Sequence, residues 1–309
     1  MKQALEVEVE GKRLRLSNLD KVMYPAVGFT KGQVVDYYTR ISPVLLPHLR
    51  GRPLTLKRYP DGVEGQHFYE KQCPSHRPPW VRTAAIRAER RGKVINYCVA
   101  DDLPTLVWTS NLADLELHTS LSLADDIKRP TMMVFDLDPG PPAGIIECVD
   151  VALILRGLLD ELGLESYAKT SGGKGFQLYV PLNTPVTYDD TKPFSHAMAK
   201  LMERRFPDRV VSVQKKELRK GKVLVDWSQN DEHKTTVCVY SLRARERPTV
   251  ATPVTWEEAE SALKAKEPEK LVFGPEDVLE RAERDGDLFE PVVTLEQTLP
   301  SLPVASAHS

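Results

Sequence analysis

A chain of 309 residues has room for one large domain or two ordinary ones, and 41% hydrophobic with 28% charged residues is the balance of a globular protein in water. No stretch approaches the roughly 18 apolar residues of a membrane span, and the N-terminus, MKQALEVEVEGKRLRL, alternates apolar and charged residues where a secretory leader needs an apolar run, so a cytoplasmic protein is expected. A net charge of −2 excludes whole-molecule attraction to polyanions and leaves only local basic clusters: Lys57-Arg58, the run Arg82, Arg87, Arg90, Arg91 and Lys93, and Lys215 to Lys222.

In chain order, Leu5 to Leu16 reads as a strand pair around Gly11, and Ser17, Asn18 and Asp20 are placed to cap a short helix. Thr30 opens a helix over Lys31 to His48, with Val34, Val35, Tyr38, Ile41, Leu45 and Leu46 at helical spacing and Gly51-Arg-Pro53 as its stop. Leu54 to Tyr59 and Val94 to Val99 read as strands, with Cys73 to Trp80 as a proline-bearing loop between them. The four cysteines, Cys73, Cys98, Cys148 and Cys238, form no C-x-x-C pair and are expected as free structural thiols. A second helix is expected over Leu103 to His118. Thr131 to Asp138 is a strand stopped by Pro139-Gly-Pro-Pro142. A helix from about Gly144 to Leu162, strands at Glu165 to Thr170 and Phe176 to Pro181, and a helix over Asp189 to Arg205 follow. Strands at Lys222 to Trp227 and Thr235 to Tyr240, a capped helix over Thr255 to Lys266 and a loose tail from about Thr294 complete the chain. The mixture predicts an α+β (mixed α/β) core.

Two features carry chemistry. Residues i and i+2 of a strand share a face, so Asp136 and Asp138 converge at a strand end, and Asp226 interrupts the apolar strand Lys222-Val-Leu-Val-Asp226 in the same manner. Adjacent carboxylates are tolerated when a cation neutralises them, and oxygen donors suit Mg²⁺ or Mn²⁺; strand-end solvation or capping of the next element fits a D-x-D pair as well. The second feature, Thr170-Ser-Gly-Gly-Lys-Gly175, lies between two expected strands and offers backbone N–H groups, a hydroxyl at Ser171 and an ammonium at Lys174 to an anion. It lacks the Walker spacing, and a plain glycine hairpin turn fits the local sequence equally. Arg219, and Arg243 with Arg245 after the strand that ends at Tyr240, add guanidiniums suited to phosphate; His118 by itself reads as a helix histidine.

Taken together these segments resemble the polymerase domain of bacterial ligase D, a branch of the archaeo-eukaryotic primase superfamily. The resemblance runs through Asn18-Leu-Asp-Lys21-Val-Met-Tyr-Pro25, Arg52-Pro-Leu-Thr-Leu-Lys57-Arg58-Tyr-Pro60, Phe68-Tyr-Glu-Lys71-Gln, Leu115-Glu-Leu-His118 and Phe135-Asp-Leu-Asp-Pro139. It continues through Thr170 to Gly175, Val225-Asp-Trp-Ser-Gln-Asn230, Lys234-Thr-Thr236 and Tyr240-Ser-Leu-Arg243, ending near Asp287. It implies a primase-polymerase fold of two packed β-sheets flanked by helices, in one domain over residues 1–293. The part to about 130 would carry DNA-end and template contacts, and 131–293 the catalytic core. It also implies a nucleotidyltransferase that extends primer 3′ ends at gaps or double-strand breaks, preferring ribonucleotides among its NTP and dNTP substrates, with Mn²⁺ or Mg²⁺ in a two-metal site, and with priming as a further activity. By residue, it implies Asp136, Asp138 and Asp226 as metal ligands, and His118, Ser171, Lys174, Arg219, Gln229 and Arg243 around the nucleotide. Lys21 and Lys31 would meet a downstream 5′-phosphate, and Arg58, Phe68 and Tyr69 the template. A separate DNA ligase and the end-binding protein Ku are the implied partners, and the nucleoid the implied location.

Two departures stand out. The family pattern places Leu-His after Lys174-Gly175, where this chain has Phe176-Gln177, and often Ala-Pro where it has Cys238-Val239. At 309 residues the chain is expected to be a stand-alone enzyme without ligase or phosphoesterase domains. The competing readings are a two-metal nuclease, which needs the carboxylates but no triphosphate donors, and a non-catalytic DNA-end-binding module that keeps the lysines.

Overall fold

A computed structural model describes residues 4–88 and 92–301; Arg90 and Arg91 of the second basic cluster lie outside the described residues. The chain opens with a hairpin of β1 (Ala4–Val9) and β2 (Lys12–Ser17), whose turn places Gly11 at φ +73°. The short helix expected after Ser17 is instead a turn leading into a ribbon of β3 (Val22–Tyr24) and β4 (Phe29–Thr30). Helix α1 (Lys31–Leu49) starts where its sequence says it should. The Thr30 side chain accepts from the Gln33 N–H while Gln33 reaches back to the Thr30 N–H, satisfying two of the donors a helix start leaves free.

After α1 come β5 (Leu54–Arg58), β6 (Phe68–Glu70), β7 (Thr83–Ala88), β8 (Lys93–Cys98), α2 (Leu103–Asn111), β9 (Asp114–Thr119), β10 (Met132–Pro139), α3 (Ile145–Glu161), β11 (Tyr167–Thr170) and β12 (Phe176–Pro181). The remainder holds α4 (Tyr188–Arg205), β13 (Val210–Val211), β14 (Val223–Asp226), β15 (Thr236–Val237), β16 (Leu242–Arg243), β17 (Thr249–Val250), β18 (Pro253–Val254), α5 (Trp256–Ala265), α6 (Pro275–Asp285) and α7 (Pro291–Thr294).

Two sheets organise these elements. The first has the order β13-β14-β10-β12-β11-β18 and is antiparallel except between β13 and β14; the second runs β15-β9-β5-β8-β7, with β6 also on β5. One face of the first sheet, through Met133, Phe135, Leu137, Phe176, Leu178 and Val225, packs on α3, α4 and α5. The alternate residues Met132, Val134 and Tyr179 face the other way, into a core shared with the second sheet, α1 and α2. The period of two along β10 thus puts Asp136 and Asp138 in the cleft between the sheets, opposite a fully buried Phe135 that anchors the strand. Strand β15, from beyond residue 131, closes the edge of the sheet built from the first half.

Three expectations are corrected here. The helix over Leu103 to His118 ends at Asn111: Ala113 turns the chain at φ +60°, and Asp114 to Thr119 is a central strand between β5 and β15. Its alternation, Asp114, Glu116 and His118 against Leu115 and Leu117, is a strand period that the apolar residues of the preceding helix obscured. Cys73 and Cys98 are not free thiols but form a disulfide, because the loop after β6 crosses the end of β8; only Cys148 and Cys238 are free, and both are buried. The segment after Thr294 is not loose throughout. The Gln297 side chain accepts from the Glu165 N–H and donates to the carbonyls of Glu165 and Pro181, and its own N–H meets Leu182 O. Residues 302–309 lie outside the described residues.

Candidate active site

The acidic centre lies on adjacent strands. Asp136 of β10 is the register partner of Asp226 on β14 and of Gln177 on β12, and Asp138 follows two residues on, on the same face. Gln177 Nε2 donates to Asp136 Oδ1 at 2.8 Å. Asp226 is more heavily tied: Ser228 donates its N–H and hydroxyl to Oδ1 at 2.9 and 2.6 Å, and the amides of Gln214 and Gln229 donate to Oδ2 at 3.1 and 3.2 Å. Burial, then the neighbouring Asp138 and, against the Gln177 bond, Asp226, push the Asp136 carboxyl up to about 7. Asp138 is raised too, by burial and Asp226, with Arg219 and Arg243 opposing. Among the described residues no three His, Cys, Asp or Glu side chains stand ready-made as a metal cage. The chemistry of the donors nonetheless fits a hard divalent cation: these oxygens are crowded, desolvated and short of positive charge, which is the condition a Mg²⁺ or Mn²⁺ ion relieves.

The glycine loop closes over this centre. Ser171 Oγ accepts from the N–H groups of Gly173 and Gly175 at 3.3 and 3.1 Å, curling the backbone into a tight cradle, and Lys174 is exposed at its lip. Gly172 sits at φ +64°, and a Cβ there would come within 2.6 Å of Arg243 and 2.8 Å of the Val250 backbone. Arg243 Nη1 donates to Ser171 O at 2.5 Å, so guanidinium and cradle are one unit. Gly140, just past β10, is a further obligatory glycine: a Cβ would fall 1.9 Å from Arg219 O, so only glycine lets the Arg219 segment close over the strand end. Arg219 donates to Gln214 O, and its Nε is buried with no partner among the described residues.

One organising residue was missed at the sequence level. Glu116, on β9 and 1% exposed, accepts from Lys57 Nζ at 3.1 Å, bonds His118 Nε2 at 3.1 Å, takes the Ala244 N–H at 3.0 Å and lies 3.4 Å from Arg243 Nε. Burial alone would raise its carboxyl. The His118 bond and the charges of Arg243 and Lys57 outweigh burial and hold it well below the usual carboxylate range. His118 is itself pushed down, by burial first and by Arg243 and Lys57, against the pull of Glu116. The signal was present as an acid alternating with leucines in Leu115-Glu-Leu-His118, but a helical reading of that segment hid it.

Arg58 and Phe68 continue from this hub. The Arg58 guanidinium pairs with Glu70 at 2.7 Å and lies 5.3 Å from the Phe68 ring; Phe68 and Tyr69 are 43% and 56% exposed, and Tyr69 stands edge-on to His118. Lys21 and Lys31 are not part of the acidic centre. With Asn18, Arg58, His76 and Trp108 they line a separate cleft of about 570 Å³. Lys31 Nζ donates to Ser17 O at 2.6 Å, and burial, then Lys21 and Arg58, push it down to about 8; Lys21 Nζ bonds Pro60 O and Asp61.

With this geometry in place, comparison with known proteins is decisive: residues 30–289 match the LigD primase-polymerase domain. The chain belongs to that family. It is 40% identical over 283 residues to the multifunctional non-homologous end joining protein LigD of Mycolicibacterium smegmatis, covering 91% of this chain and 36% of that protein. It is 32% identical over 278 residues to the bifunctional LigD of Bacillus subtilis, covering 90% and 44%. The chain therefore spans about two-fifths of the length of these relatives. A solved polymerase domain from Mycobacterium tuberculosis ligase D, in complex with DNA, superposes with a TM-score of 0.85 at 38% identity, over 92% of this chain and 99% of that one. The α+β mixture expected from the predicted elements, and the primase-polymerase fold that the resemblance implied, are thus the fold observed. Among the described residues no helix is long and apolar enough to cross a membrane.

Proposed function

We propose that this chain is a metal-dependent nucleotidyltransferase that extends a primer 3′ end with nucleoside triphosphates, ribonucleotides by preference, at DNA gaps or breaks, in end joining or gap repair. The observation that carries this reading is the junction of the Asp136, Asp138 and Asp226 row with the Ser171–Lys174 cradle and Arg243, an anion site built against a carboxylate site. A nuclease needs only the first half of that junction. An end-binding module needs neither.

In this reading Asp136 and Asp138, with Asp226 as third ligand, would hold Mn²⁺ or Mg²⁺, which when bound supplies charge neutralisation for in-line displacement at the α-phosphorus. The protein's own residues bind and orient. Backbone N–H groups around Gly173, with Lys174 and Arg243, receive the triphosphate; Arg219 covers it from the β14 side; Gln229 sits on the Asp226 carboxylate, and His118 faces the same cleft. Phe68 and Tyr69 offer exposed rings on which template bases stack, with Arg58 beneath. The Lys21 and Lys31 cleft would take a downstream 5′-phosphate. Priming, and work alongside a separate ligase and Ku, belong to the same proposal.

The test is extension of a gapped, 5′-phosphorylated DNA with Mn²⁺ and either ribo- or deoxyribonucleotides, beside Asp136→Ala/Asp138→Ala. Wild type should extend, faster with ribonucleotides, and the variant should not. Extension by the variant, or none by wild type, would overturn the reading.

A further inference from the structure

Four strands of the first sheet carry, at one register level, Lys169 on β11, Gln177 on β12, Asp136 on β10 and Asp226 on β14. Directly opposed residues of antiparallel strands share a face, so these side chains form one row leading from the buried edge of the cleft to the acidic centre. The row is bonded on one side only. Gln177 donates its amide to Asp136, whereas its Oε1 is buried with no partner among the described residues. The next side chain along, Lys169, is 0% exposed, and its Nζ likewise lacks a hydrogen-bond partner and lies over the Tyr179 ring, 5.6 Å from its centroid. An orphaned donor and an orphaned acceptor thus occupy neighbouring places on paired strands. A lysine buried without a partner is unfavourable whether it keeps its proton or is driven to give it up, so packing alone does not account for a lysine where Met would fit.

We propose that Lys169 is a positioning residue for the metal-holding carboxylate, acting through Gln177. The two groups stand unbonded in this structure; with the cation bound, Lys169 Nζ would close onto Gln177 Oε1 and fix which way the amide points, keeping the NH₂ on Asp136 and the carboxylate in the orientation that accepts a divalent cation. Gln177 needs this help because an amide turned by half a rotation would set its own oxygen against Asp136. This rests on the metal reading above.

The experiment is Mn²⁺ binding to the intact protein without nucleotide or DNA, followed by electron paramagnetic resonance of free Mn²⁺, for wild type, Lys169→Met, Lys169→Gln, Gln177→Met and the Lys169→Met/Gln177→Met pair. Thermal unfolding runs alongside. Lys169→Met should bind Mn²⁺ at least fivefold more weakly with an undiminished melting temperature. Lys169→Gln, which keeps a donor, should return to within about threefold of wild type. Gln177→Met should weaken binding at least as much, and adding Lys169→Met to it should change nothing further, because the lysine acts only through the amide.

Unchanged affinity in Lys169→Met, or losses that add in the pair, would overturn the role. Tighter binding would overturn it too, since that is what removing a repelling cation without any positioning effect produces. Failure of wild type to bind Mn²⁺ is the distinct result that removes the metal reading and this inference together.

Discussion

Glu116 is the residue on which the cleft's cations depend. It stands between Lys57, His118 and Arg243, and the Ala244 N–H ties the Arg243 strand to the same carboxylate. Removing its charge leaves buried cations facing one another, a change that typically costs about 3–5 kcal/mol when a buried pair is broken. Glu116→Gln is therefore expected to lower thermal stability measurably and to raise the KM for nucleotide at least tenfold, since Arg243 loses its anchor. Steady-state kinetics beside a melting curve checks both, and an unchanged KM would contradict the anchoring role. Asp136 gives a second expectation at this scale. Its folded-state carboxyl lies near 7, above the usual range for an unfolded aspartate, so the metal-free protein binds this proton more tightly folded than unfolded. Stability from this group is present at low pH and is lost as pH rises from about 4 through 7. Asp136→Asn should accordingly raise the stability of metal-free protein at pH 7.5 by about 1–3 kcal/mol and flatten that slope, as denaturant unfolding at several pH values would show.

Among the elements, the glycine loop and β9 show what a sequence makes legible. The β10 acids, the strand pair around Ser171 to Gly175 and the α1 and α5 caps were all readable, because each depends on neighbours within a few residues. The α5 start is typical: Thr255 accepts from the Glu258 N–H and Glu258 returns the bond. What was not readable depends on chains meeting from afar. Glu116 meets Ala244 across 128 residues, Cys73 meets Cys98 only because a loop crosses β8, and Gln297 is held by backbone more than a hundred residues earlier. The glycine loop also shows why its two sequence readings could not be separated locally. A hairpin turn and an anion cradle share the same backbone, and the difference lies in Arg243 pressing on Gly172 from another strand. Gly172→Ala should thus be far worse than an ordinary turn substitution. A Cβ there meets Arg243 and the Val250 backbone at a positive φ, so a loss of about 1–3 kcal/mol in stability and at least tenfold in nucleotide affinity is expected. Fluorescent-nucleotide binding beside calorimetry would reveal it; a neutral substitution would mean the loop is an ordinary turn.

At the scale of the whole molecule, the acidic centre and the lysine cleft share no residue, and Arg58 is the side chain that stands between the lysine cleft and the Phe68 side of the molecule. That guanidinium lines the Lys21 and Lys31 cleft on one side and lies under the Phe68 ring on the other, the only named side chain that touches both. The acidic centre is fixed by the first sheet and its helices, and the lysine cleft by the N-terminal hairpin, α1 and α2, so disabling one need not distort the other. Independence of this kind predicts a separable phenotype. Lys21→Ala/Lys31→Ala should abolish the preference for 5′-phosphorylated over unphosphorylated gaps while leaving extension of an unphosphorylated substrate within about twofold of wild type. Lys31 is the more consequential of the two: it is nearly buried, its charge is already disfavoured by Lys21 and Arg58, and an incoming phosphate would relieve that repulsion. Its contribution should therefore shrink as pH rises from 7 toward 9 in wild type, where the free lysine loses its proton and the phosphate must restore it at a cost, so discrimination between the two ends should narrow over that range. Measuring extension of both substrates across pH 6.5–9, in wild type and in the double variant, decides the point. Parallel losses on phosphorylated and unphosphorylated ends, or a variant that still discriminates, would show that the cleft does not read the phosphate.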